Sequence, residues 1–205
     1  ARIETTVGAQ FIAEGRVDKK VVFTSLLDDT FGAGGTFDTT GNRASIQPEA
    51  GNWGGIYVGH SATASIDQAL ISFGGGIPDV EGTFAGFNVI EIQQAKVRVA
   101  NTILENNAGG TGGQAPPQRF GRGSNDAAAI FVRGAQPVIV GNIIRNTAAS
   151  LQGERAAAIN INVNALNHHF ITDYGRSTGF LDRVVGFTGN QGPLLHGNQL
   201  DDNDL

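Results

Sequence analysis

The side chains best placed to do chemistry are the carboxylates. Asp28, Asp29, Asp38 and Asn42 fall in one stretch with Gly32, Gly34, Gly35 and Gly41. Calcium takes six to eight oxygens, which carboxylates and the carbonyls of a Gly-rich loop can supply. Asp28, Asp29 and Asp38 are therefore the candidate ligands of a calcium loop; no other cofactor is expected. Their spacing departs from the EF-hand pattern, and the competing reading is a solvated loop whose Asp side chains cap turns. Asp28-Asp29 and Asp201-Asp202 are the adjacent carboxylate pairs. Glycoside hydrolysis needs two carboxyl groups on opposite sides of the scissile bond. Neither pair comes with a partner in recognisable register. His168 and His169 adjoin, but neighbours on a strand point to opposite faces and make a poor joint ligand set. A third candidate is the row Asn160, Asn162 and Asn164, alternating with Ile159, Ile161 and Val163. On a strand this turns the apolar residues inward and offers three amides on the outer face, where a glycan could hydrogen-bond.

The rest of the sequence describes the scaffold. Among 205 residues, 30 are glycine, about twice the ordinary share of roughly 7%. Glycine and asparagine both tolerate positive φ, so such a chain turns often and sharply. Apolar residues make up 40%, enough for a core, in short β-branched runs rather than helix-period segments. Charged residues make up 16% and the net charge is -5, which argues against a nucleic-acid partner. No apolar stretch of about 18 residues is present, so no helical membrane span is expected. Cysteine is absent, which leaves the compartment open because a stacked core needs no disulfides.

Weak repeats organise these runs. Ile130–Val132, Val138–Val140 and Ile143–Ile144 are separated by Gly134 and Gly141-Asn142. Val89–Ile92, Val97–Val99 and Ile103–Leu104 follow the same grammar and end at Asn106-Asn107. Pro193 to Asn198 repeats the Pro-x-x-x-Gly-Asn phrase of Pro137 to Asn142. Single Gly or Asn bends redirect a chain without reversing it, unlike the two-residue turns of hairpins. Equivalent bends would then stack, and apolar residues such as Ala129, Ile159, Ile161 and Val163 would form ladders up a narrow core. Approximate anchors are Val22, Ile71, Ile103, Ile143, Ile171 and Leu200, at intervals from 28 to 49 residues. A bare coil needs on the order of 20–25 residues, so the excess belongs to loops. Those loops are expected at about 28–52 and 108–126, with a smaller one at 148–156. Trp53 is expected to pack where the first insertion rejoins the scaffold, and Phe73, Phe131 and Phe170 to sit in the core.

Particular phrases carry a resemblance. Gly8 to Gly15, Val21-Val-Phe-Thr-Ser25, Leu27-Asp-Asp-Thr30, Asn52-Trp-Gly-Gly-Ile56 and Ile71-Ser-Phe-Gly-Gly75 follow one another in order. Together they resemble the β-helix repeat regions of large bacterial secreted and cell-surface proteins. The resemblance covers nearly the whole chain and implies an all-β, right-handed parallel β-helix (solenoid) with loop insertions. It implies one such domain over 1–205, a segment of a longer solenoid, at an extracellular or cell-surface location. Partners would be other coils of the same protein or neighbouring copies stacked on its ends, and glycans. A fold of this kind does not dictate an activity. The hydrolases of similar fold that act on polygalacturonic acid combine Asn-Thr-Asp, Asp-Asp, Gly-His-Gly and Arg-x-Lys in order. Here Asp28-Asp29 and Gly59-His60 lack the first and last of these. The expectation is a non-catalytic structural or adhesive module, with a carbohydrate-active or glycan-binding β-helix as the alternative.

Overall fold

Short apolar runs broken by residues at positive φ build a scaffold of stacked three-strand coils. The computed structural model describes residues 1–31, 46–77, 79–80, 83–84, 86–110, 125–150, 154–165, 177–178 and 192–203. The first coil holds β1 (Ile3–Thr5), β2 (Gln10–Glu14) and β3 (Val21–Phe23). The second holds β4 (Ile56–Val58), β5 (Thr63–Asp67) and β6 (Ala69–Ser72), followed by a small antiparallel pair, β7 (Asp79–Val80) and β8 (Thr83–Phe84). The third holds β9 (Ile90–Gln93), β10 (Lys96–Ala100) and β11 (Ile103–Ala108). The fourth holds β12 (Ala128–Arg133), a short β13 (Ala135–Gln136), β14 (Val138–Val140) and β15 (Ile143–Ala148). The fifth holds β16 (Ala157–Ile161), β17 (Ser177–Thr178), β18 (Leu194–His196) and β19 (Gln199–Asp201).

Three parallel five-stranded sheets result: β1-β4-β9-β12-β16, β2-β5-β10-β14-β18 and β3-β6-β11-β15-β19. This is a parallel β-helix. Pairing between equivalent strands of successive coils stacks like residues on like. In the first sheet Ile3, Ile56, Ile90, Ile130 and Ile159 form one ladder, and Thr5, Val58, Ile92, Val132 and Ile161 the next. Ala13, Ile66, Val99, Ile139 and Leu195 line up in the second sheet, and Phe23, Ile71, Leu104, Ile144 and Leu200 in the third. Ladder residues of the middle coils are fully buried, including Ile56, Ile66, Ile71, Ile90, Leu104, Ile130 and Ile144.

The corners are held by asparagine side chains, each reaching back to the preceding coil. Asn142 donates from Nδ2 to Val99 O (3.0 Å) and accepts at Oδ1 from Thr102 N (3.0 Å). Asn107 does the same with Ile71 O and Gly74 N, Asn198 with Ile139 O and Asn142 N, and Asn203 with Ile144 O and Thr147 N. Each bridges a carbonyl and the N–H three residues later, which supplies partners to backbone groups that leave the ladder at the bend. The residue before each of them has positive φ: Asn106, Gly141, Gly197 and Asp202. The recurring Gly-Asn phrase is thus a corner motif, and Gly141-Asn142 lies against Gly197-Asn198 as the repeat requires.

Two sequence expectations change. Ile171, outside the described residues, was expected to anchor a coil between Ile143 and Leu200. Instead β15 pairs directly with β19, so one coil spans that interval and its excess length lies between β16 and β18. The alternating run at Ile159 also stops early. β16 ends at Ile161, a 3-10 turn covers Val163–Ala165, and Val163 is 73% exposed. Most of the insertions expected at about 28–52 and 108–126 lie outside the described residues, in the intervals between β3 and β4 and between β11 and β12.

Candidate functional site

Each sheet turns its other face outward, and the three faces differ chemically. On the first sheet the outward column is Glu4, Tyr57, Glu91, Phe131 and Asn160. Phe131 is buried, as expected, but on this outer side rather than within the central cluster of Ile130 and Val132. The Arg2 guanidinium lies 3.8 Å from the Phe87 ring centroid and 4.8 Å from that of Tyr57, and 3.5 Å from Glu91. Gln93 Nε2 donates to Glu91 Oε1 (2.9 Å), and Asn125 Nδ2 reaches both Glu91 oxygens (3.3 Å). With Glu91 1% exposed, this network is closed to a substrate.

The second sheet presents an open polar face. Ser65 Oγ donates to Glu14 (2.6 Å), Arg98 pairs with Asp67 (2.7 Å), and Asn101 Nδ2 donates to the same carboxylate (2.9 Å). Each tie joins consecutive coils. On the third sheet Val22, Leu70, Ile103 and Ile143 form a partly buried aliphatic row. Next to it, the Arg145 guanidinium donates from Nε and Nη2 to Glu105 (2.9 and 2.5 Å).

A cleft of about 600 Å³ opens where the third sheet gives way to the loops leading back to the first. Its walls include Asp28, Asp29, Phe31, Phe73, Glu105 and Asn106. Asp28 is 6% exposed and works locally, its carboxylate accepting from Thr24 Oγ1 (2.6 Å) and Thr30 N (3.1 Å) as a turn cap. Among the described residues, Asp29 Oδ1 is buried with no hydrogen-bond partner. Asp38, the third proposed metal ligand, lies outside the described residues, as do Asn42, His168, His169 and Phe170. Among the described residues no group of three or more His, Cys, Asp or Glu could hold a metal ion.

Asn160 sits on β16, Asn162 follows the strand end with its N–H donating to Val132 O (2.8 Å), and Asn164 belongs to the 3-10 turn. Trp53 packs just before β4, 8% exposed, with Nε1 donating to Ser72 O (2.8 Å). Phe73 was expected in the core but lines the cleft, partly exposed. Glu105 and Asn106 were read only as part of a repeat. Their role in a shared wall depends on the coil register that sets Glu105 beside Ser72.

No family model matches the chain, and no curated protein or solved structure matches it either. None of the helices is long and apolar enough to cross a membrane, among the described residues.

Proposed function

We propose that this chain is a non-catalytic structural or adhesive β-helix module of an extracellular or cell-surface protein, a stiff element that presents corner loops to partners. The observation that supports this reading is how four of the strand-borne carboxylates are used. Glu14 is held by Ser65, Asp67 by Arg98 and Asn101, Glu91 by Gln93 and Asn125, and Glu105 by Arg145. Three of these four ties run between coils, and the fourth lies in a closed network. Such carboxylates neutralise and brace the stack, whereas a hydrolase needs a facing pair free to protonate a leaving group and activate a nucleophile.

Partners follow from the ends of the stack. Inward-facing Ile3, Phe11, Val21 and Phe23 on the first coil, and Ile159 and Ile161 on the last, are only partly buried. Leu195 and Leu200 are 41% and 52% exposed. Open strand edges beside exposed apolar side chains favour cover by further coils or by a neighbouring copy. The test is an activity screen of the full chain on neutral and uronic-acid polysaccharides. The module reading expects no turnover. Turnover that disappears in Asp28→Asn or Asp29→Asn would overturn it.

A further inference from the structure

We propose that the cleft beside the third sheet binds an uncharged saccharide, with a pyranose ring seated on Phe73. This deepens the adhesive reading above and rests on it. Small-molecule sites occupy on the order of 300–1,000 Å³, and the cleft holds about 600 Å³. Its lining supplies the three features a sugar requires. Phe73 and Phe31 offer aromatic surface to the apolar C–H face of the ring. Asp29 and Glu105 offer acceptors to hydroxyl groups, and Asp29 Oδ1 is buried with no donor among the described residues. Asn106 accepts at Oδ1 from Asn146 Nδ2 (3.1 Å), which leaves its own Nδ2 to donate.

Phe73 is the most telling of these residues. It stands at φ 59°, in the left-handed region where a bulky side chain is an outlier. The equivalent corner positions of later coils are Asn106, Asn146 and Asp202, at φ 55°, 53° and 48°. Those residue types tolerate the conformation, and the corner needs nothing larger. An aromatic ring kept there against backbone preference, at the wall of a cleft, fits a use other than folding. The charge pattern narrows the ligand. Among the described residues no Lys or Arg lines the cleft; Arg145 pairs with Glu105 from beside it and Asp28 is tied into its own turn, so Asp29 is the carboxylate that a uronate or sialate would meet as like charge on entry.

The test is a glycan array probed with the full chain, with neutral hexose and N-acetylhexosamine oligomers beside oligogalacturonates, followed by titration calorimetry of the strongest neutral binder. Phe73→Asn installs the residue that the stacked corners use. It is expected to weaken binding at least tenfold while the melting temperature holds or rises, a combination that a purely structural Phe73 would not give. Asp29→Ala is the second variant, expected to weaken binding at least threefold. Preference for oligogalacturonates, no neutral glycan bound at millimolar concentration, or full binding by Phe73→Asn would each overturn the assignment and leave the module reading intact. Hydrolysis of a bound neutral glycan would sink the module reading while keeping the cleft as a saccharide site.

Discussion

Replacing Asn142 by alanine tests the corner mechanism most directly. The residue is fully buried, and its side chain joins three coils: Nδ2 donates to Val99 O and Asn198 Oδ1, and Oδ1 accepts from Thr102 N. Alanine would strip the side-chain partner from two backbone groups, Val99 C=O and Thr102 N–H, at a depth where water does not replace it. Each such buried group left unsatisfied costs about 1–3 kcal/mol, so the loss should be about 2–6 kcal/mol. Asn203 makes the same pair of bonds to Ile144 O and Thr147 N, but on the last coil and only partly buried. Water can solvate the groups it leaves, so Asn203→Ala should cost about 1 kcal/mol or less. Urea unfolding followed by circular dichroism would report both as midpoint shifts, and hydrogen exchange should show the Thr102 amide losing protection only in Asn142→Ala. Equal costs for the two variants, or less than about 1 kcal/mol for Asn142→Ala, would refute the claim that these asparagines act by satisfying buried backbone.

Other perturbations separate the remaining forces. Ile90→Ala opens a cavity in the middle of the isoleucine ladder, between Ile56 and Ile130, and should destabilise by about 2–5 kcal/mol in the same unfolding assay. Gly75 has φ +82° and a Cβ there would stand 1.8 Å from Ala108 O, so Gly75→Ala should give mostly insoluble protein or a large drop in melting temperature. Trp53→Phe removes the indole bond to Ser72 O and should cost about 1 kcal/mol, measured by calorimetry. Arg145→Ala breaks an exposed ion pair with Glu105 and should change stability by less than about 1 kcal/mol, vanishing at high salt.

The corners and ladders could be read from the chain alone because they are local. A residue able to adopt positive φ followed by Asn marks the bend at Asn106-Asn107, Gly141-Asn142 and Gly197-Asn198. The β-branched runs between bends then determine parallel stacking, since a strand of three to six residues ended by such a bend has no hairpin partner beside it. What the chain could not fix was the number of coils and their register. Asn142 stacks on Thr102 across 40 residues and Asn198 on Asn142 across 56, and 56 residues could equally be two coils or one coil with a long excursion. Loop length costs little, so spacing carries almost no information about that choice. Only the pairing of β15 with β19 decided it. The cleft depends on the same long-range register: Asp29 on a loop, Phe73 at one corner and Glu105 on the next coil become neighbours only once the coils are stacked. Local backbone preference wrote the motif into the sequence, and long-range stacking brought the side chains together.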